Sequence, residues 1–171
     1  MSDRGFAVIG IDNPKYKVNV SSLVRSARAF GASSVFTVGA QRLSHGDDTP
    51  AVGHDKHIPI FQMDSTDELL GVNGTTVAIT TDSAATPLRK IHHPERAVYV
   101  LGSEDTGHED EFLAHEDVKT VRIPTQWCLN VATAGSLVLY DRQAKQSEDY
   151  DGEGLSWVEG AGDVIGVNSD A

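Results

Sequence analysis

Three short segments hold the residue types that chemistry needs. The first is Asn19-Val-Ser-Ser-Leu-Val-Arg25-Ser-Ala-Arg28-Ala-Phe-Gly31, with an amide side chain six residues ahead of a guanidinium. Val20, Leu23, Val24, Ala27 and Phe30 recur at helical spacing, so Asn19 is placed to cap a helix, while Arg25 and Arg28 fall off its apolar stripe. The second, Val98-Tyr-Val-Leu101-Gly102-Ser-Glu104-Asp-Thr-Gly107-His108, is an apolar strand that runs into a glycine and then an acid. Ligands of open α/β sheets sit outside the carboxyl ends of strands, and a glycine there lets a ligand approach the backbone. The third, Val121-Arg-Ile123-Pro124-Thr-Gln-Trp127-Cys128-Leu129-Asn130-Val-Ala, leads from a strand through a short loop to a helix that begins near Asn130. Taken singly, each segment has a plain structural reading: a capped helix with a solvated arginine, a turn with a surface acid, and an Asn-capped strand-to-helix junction.

Other chemistries lack a carrier. The first strand-to-helix junction reads Gly10-Ile-Asp-Asn-Pro14, neither a dinucleotide fingerprint nor a P-loop, and no Gly-x-Ser-x-Gly elbow occurs. Of seven histidines only His54-x-x-His57 has near-helical spacing; it lies in a polar stretch without carboxylates on a neighbouring strand end, so no metal is expected. The single cysteine, Cys128, excludes an intramolecular disulfide and a cysteine-based zinc site, in keeping with a reducing cytoplasm.

These segments need a scaffold. Phe6–Ile11 is a continuous apolar run, the mark of a strand buried on both faces, and Val35–Val38, Thr76–Thr80, Ala97–Leu101 and Val118–Ile123 are similar. Between them the spacing predicts helices over Asn19–Phe30, with Gly31 at C′, after the capping-box pattern Ser65-Thr-Asp-Glu68, over Glu109–His115 and over Asn130–Gln143. On the last, Val131, Ala134, Leu137, Val138 and Ala144 are expected on one side. Strands alternating with helices imply an α/β fold with a mainly parallel sheet. Leu43–His57 reads as a polar loop.

The 171 residues suit one domain, expected over residues 1–146. Residues 147–171, with seven Asp and Glu and no Lys or Arg, are expected to be an acidic Gly-rich tail, flexible or docked. No apolar run approaches the roughly 20 residues of a membrane span, and Met1–Gly5 lacks the features of a secretory signal, so a cytoplasmic location is expected. Fourteen Lys and Arg against twenty-five Asp and Glu give a net charge of −11, which excludes a mainly electrostatic grip on phosphate.

In this order the three segments resemble the three motifs of the SpoU family, within the SPOUT superfamily of S-adenosylmethionine-dependent RNA methyltransferases. The first motif is matched by Asn19, Arg25 and Ala29-Phe30-Gly31, the second by Leu101-Gly102-Ser103-Glu104 with Gly107, and the third by Ile123-Pro124 and Leu129-Asn130-Val131. Ser21 stands where the family usually has Gly, and Cys128 where it usually has Ser. The resemblance implies a C-terminal trefoil knot that holds S-adenosylmethionine near Thr80, Leu101, Gly102, Ile123, Cys128 and Leu129, with S-adenosylhomocysteine as product and no metal. It implies a homodimer, and methyl transfer to a ribose 2′-hydroxyl with Arg25 as base or activator. Asn19 would fix Arg25, Glu104 would orient Arg25 or nearby backbone, and Asn130 would shape the cofactor loop. Lys15, Lys17, Arg25, Arg28 and Arg42 would meet the RNA, with Arg89-Lys90 and His92-His93 as a further basic group. The expected partner is a structured RNA, tRNA first and ribosomal RNA second, with no DNA and no membrane; a fold kept for RNA or cofactor binding without catalysis is the alternative.

Overall fold

The computed structural model describes residues 5–39 and 58–146. Seven strands, β1 (Ala7–Asp12), β2 (Ser34–Val38), β3 (Ile60–Met63), β4 (Thr75–Ile79), β5 (Thr86–Pro87), β6 (Ala97–Leu101) and β7 (Val118–Arg122), form one sheet in the order β3-β2-β1-β6-β4-β7-β5. Every pairing is parallel. The helices are α1 (Lys17–Ala29), α2 (Asp67–Leu70), α3 (Asp110–Ala114) and α4 (Val131–Gln146), with a short 3-10 turn over Leu88–Lys90.

The continuous apolar runs are explained by burial on both sheet faces. Successive side chains of a strand alternate faces, so Ile9, Ile11, Tyr99 and Leu101 meet α1 and α4 through Leu23, Val24, Val138 and Leu139. On the other face Val98, Val100, Phe36 and Ala78 meet Leu69 of α2 and Phe112 of α3. The expected α/β class and all five predicted strands are present.

Two strands escape sequence reasoning, and both lie at sheet edges. β3 leaves Phe61 half exposed, and β5 is two residues long and ends in Pro87, whose missing N–H confines it to an edge. Glu68 Oε1 accepts the N–H of Ser65, one half of the predicted capping box. The buried face of α4 differs from the expected stripe: Val131, Ala132, Gly135, Val138, Leu139 and Arg142 face inward, while Leu137 is exposed. A Cβ at position 135 would stand 2.5 Å from Leu23 Cδ1 and 2.9 Å from Leu101 Cδ1, so the glycine is what lets α4 settle against α1 and β6.

Arg142 is buried in a polar cluster that fastens the end of α4. Its guanidinium donates to the carbonyls of Pro94 and Glu95 and to the Tyr99 hydroxyl. The set is satisfied when Tyr99 O–H donates to His93 Nδ1 (2.6 Å) and His93 Nε2–H donates to Asp141 (2.8 Å). Lys145 completes it with a 2.6 Å ion pair to Asp141 and a bond to the Leu88 carbonyl. Burial outweighs the Asp141 carboxylate and lowers the His93 pKa from its ordinary value. His93 is therefore core, not part of the basic surface expected at 89–93; its side chain is fully inaccessible.

Candidate active site

Chain direction reverses between β1 and β6: after β1 the chain leaves through α1 towards β2 and β3, and after β6 it leaves through α3 towards β7. The connections diverge there and open a crevice at the carboxyl ends of the strands, where open α/β sheets bind ligands. A cavity of about 600 Å³ occupies this place. Its wall is built from Ile79 and Thr80 at the end of β4, Leu101 and Gly102 at the end of β6, Ile123 after β7, and the Cys128–Asn130 loop. All six residues expected at the cofactor, Thr80, Leu101, Gly102, Ile123, Cys128 and Leu129, line it.

At this cavity three side chains form one directional hydrogen-bond chain. Asn130 Oδ1 accepts the backbone N–H groups of Ala132 (3.0 Å) and Thr133 (3.2 Å), so Asn130 caps α4 as its position suggested. Its amide is thereby oriented, and Nδ2 donates to Asn19 Oδ1 at 2.9 Å. Asn19 Nδ2 in turn donates to Glu104 Oε1 at 2.6 Å, and Glu104 Oε2 accepts the backbone N–H of Lys15 at 2.9 Å. A carboxylate accepts only, so each link fixes the next. Burial pushes the Glu104 pKa up, but the Lys15 N–H and the Asn19 amide outweigh it and hold the carboxyl below its ordinary 4.5.

Asn19 consequently does not cap α1. The helix begins two residues earlier, at Lys17, with Tyr16 in extended conformation ahead of it and no side-chain cap. Asn19 is 8% exposed and looks across to the loops after β6 and β7. Gly31 does stand past the C-terminus of α1 with φ of +70°, as expected. Gly102 serves a closer purpose than ligand approach: a Cβ there would lie 2.8 Å from the Gly107 carbonyl carbon, where Ser103 and Gly107 pair across a tight turn that presents Glu104.

Arg25 lies on the exposed face of α1, about 9 Å along the helix axis from Asn19, and does not line the cavity. Arg28 is exposed in the last turn of the same helix and Lys17 is partly exposed at its start. Lys15 is engaged: its ammonium pairs with Asp105 at 2.5 Å, which holds its pKa above the ordinary range. Arg42, the histidines of 43–57 and residues 147–171 lie outside the described residues. Tyr16, Thr81, Thr106 and Thr125 also line the cavity, and sequence reasoning missed them. Tyr16 follows Asn-Pro at the end of β1, the one signal that a turn brings it to the crevice.

The model of the SpoU rRNA Methylase family matches residues 7–140. The chain belongs to that family. The match takes in all three segments and every described strand and helix up to most of α4. Among solved structures, the chain resembles an AdoMet-bound rRNA methyltransferase from Sinorhizobium meliloti, with a TM-score of 0.75 and 22% identity over 84% of this chain and 58% of that one. It resembles a TrmH/SpoU tRNA modifying enzyme of A. aeolicus, with a TM-score of 0.67 and 24% identity over 80% of this chain and 73% of that one. A structure described as giving insight into the 2-OH methylation of C/U34 on tRNA matches with a TM-score of 0.68 and 19% identity, over 81% of this chain and 95% of that one. The SpoU-family chain thus spans about three-fifths of the first relative's length, and these likenesses establish the fold. No curated protein matches the chain. Among the described residues no cluster of His, Cys, Asp and Glu fit for a metal ion occurs, and no helix is long and apolar enough to cross a membrane.

Proposed function

We propose that this protein transfers a methyl group from S-adenosylmethionine to a ribose 2′-hydroxyl of a structured RNA, tRNA by preference. The observation that carries the reading is the Glu104–Asn19–Asn130 chain at a cavity that contains all six expected cofactor residues. Of the structures named above, one is described as an rRNA methyltransferase and one as a tRNA modifying enzyme, and the third concerns 2-OH methylation on tRNA.

The cavity fits the cofactor on two counts. Its volume lies within the range of sites that bury small organic ligands, and its wall mixes the apolar Ile79, Leu101, Ile123 and Leu129 with the polar Thr80, Asn19 and Asn130. Thr80, Leu101, Gly102, Ile123, Cys128 and Leu129 would hold it. When bound, it supplies an electrophilic methyl group on a sulfonium. Glu104, ionised through its two hydrogen bonds, fixes the Lys15 backbone and Asn19, and Asn19 with Asn130 locks α1 to the start of α4. This rigid frame sets the outward direction of α1, on which Arg25 stands ready to orient the hydroxyl and to stabilise or accept its charge and proton. A second subunit would bring its own Arg25 to the cavity, which accounts for the separation of Arg25 from the cavity within one chain; the homodimer is part of the proposal. So is a knotted C-terminal threading, with which the return of the chain from β7 across to α4 accords. A cytoplasmic location is part of the same reading.

Calorimetric titration with S-adenosylmethionine and S-adenosylhomocysteine, followed by incubation with tRNA and with ribosomal RNA and mass-spectrometric mapping of methylated nucleosides, tests it. Micromolar binding of about one ligand per subunit and a 2′-O-methyl product on tRNA are expected. Binding without any methylated RNA would favour the non-catalytic reading, and methylation of a base would refute ribose chemistry.

A further inference from the structure

Trp127 is the most exposed of the large hydrophobic side chains in the described residues, with 84% of its surface in water. It sits in the loop between β7 and α4, of which Ile123, Thr125, Cys128, Leu129 and Asn130 line the cavity. That loop is held at both ends. Thr125 O–H donates to the Trp127 carbonyl at 2.8 Å, and three residues on Asn130 caps α4 and bonds to Asn19. The indole is therefore displayed outward from a fixed backbone at the rim of the cavity. An aromatic of this size left in water forfeits the burial that normally stabilises it, so its placement suits a ligand that brings its own flat face.

We infer that Trp127 is a stacking platform for an unpaired nucleobase of the RNA that presents its ribose to this cavity. The inference rests on the proposed methyl transfer and deepens it. A ribose reaches a concave site only if its nucleotide leaves the helical stack, and the freed base then needs a partner; aromatic side chains supply one that tolerates any base. Charge points the same way. With 14 basic against 25 acidic residues, and Lys15 already paired to Asp105, the chain as a whole does not attract phosphate, and stacking is a source of affinity that does not depend on charge.

The test uses the full chain and two probes, a short single-stranded oligoribonucleotide and an RNA hairpin with an unpaired loop, each carrying a fluorophore for anisotropy. Trp127→Ala is expected to weaken binding of both by about ten- to a hundred-fold, the range that loss of one stacked base produces. Trp127→Phe should recover most of the loss, and the Kd for S-adenosylmethionine should stay within about two-fold of wild type. The sequence holds one other tryptophan, Trp157, so in a Trp157→Phe background the fluorescence of Trp127 should be quenched by either RNA in the absence of cofactor. Unchanged RNA affinity in Trp127→Ala, or a wild type that binds neither probe, would overturn the inference. So would a selective loss of cofactor affinity, which would make the indole a cover for the cofactor, or a shift from dimer to monomer in sedimentation, which would place it in a subunit contact. Failure of the parent reading shows separately, as absence of cofactor binding or of methylated RNA in the wild type.

Discussion

Asn19→Ala removes the middle link of the chain that joins three sequence-distant segments. In the native protein Asn19 donates to an ionised Glu104 at 2.6 Å and accepts from Asn130 at 2.9 Å. A hydrogen bond to a charged group contributes about 1.5–3 kcal/mol and a neutral one about 0.5–1.5 kcal/mol. Alanine returns roughly 0.5 kcal/mol through its better helix propensity. The net expected loss is about 1.5–4 kcal/mol, or a fall in Tm of about 3–16 °C for a chain of this size. Urea denaturation followed by circular dichroism measures it. A double-mutant cycle with Glu104→Ala then separates coupling from simple damage, because both changes remove the same bond and their effects should fall short of additive by about 1 kcal/mol or more. Asn19→Asp gives the sharper control. It keeps the shape but turns the donor into an acceptor facing Glu104, so at pH 7 it should be at least as damaging as alanine. Acidification should recover part of its loss as the two carboxyls come to share a proton. Full additivity in the cycle, or an Asn19→Asp variant as stable as wild type at pH 7, would refute the directional chain.

Four further outcomes follow from the same geometry. Arg25→Ala should abolish methyl transfer to RNA while leaving the calorimetric Kd for S-adenosylmethionine nearly unchanged, since the side chain stands outside the cavity. Gly102→Ala drives a Cβ to within 3 Å of the Gly107 backbone, so it should open the turn that presents Glu104 and weaken cofactor binding by about ten-fold or more, read by the same titration. Glu104 has a depressed folded pKa, so it contributes stability above its unfolded value near 4.5 that is lost as pH falls through the lower folded value; in Glu104→Gln this part of the acid limb, measured by urea midpoints from pH 3 to 6, should disappear. His93 is a base whose folded pKa is lowered by burial, so the unfolded chain binds its proton first and stability declines as pH falls below about 6.5; His93→Gln should remove that decline while lowering stability at pH 8 through the loss of its bond geometry to Tyr99 and Asp141.

The amino-acid sequence by itself determined the class of fold and, through its motifs, part of the cavity wall. Runs such as Phe6–Ile11 and Ala97–Leu101 are apolar on both alternating sets, a pattern stable only between two helical layers, and they appear as the central strands β1 and β6. The resemblance to the SpoU motifs is what named Thr80, Leu101, Gly102, Ile123, Cys128 and Leu129, and they share the cavity because residues at the ends of neighbouring parallel strands lie on one rim. Local signals went astray where a tertiary partner outbid them. Asn19 has the look of a helix cap, yet its amide goes to Glu104 and Asn130, 85 and 111 residues away, and the helix begins without it. His93 reads as surface charge beside Arg89-Lys90, yet Tyr99, Asp141 and Arg142 make a buried place for it that no local pattern announces. The edge strand β5 carries too few residues to show a period, and β3, half exposed and interrupted by Gln62, lacks the continuous apolar run of the central strands. Only the assembled sheet decided which polar side chains meet, because hydrogen-bond partners so distant in sequence are set by strand order and loop direction rather than by any spacing along the chain.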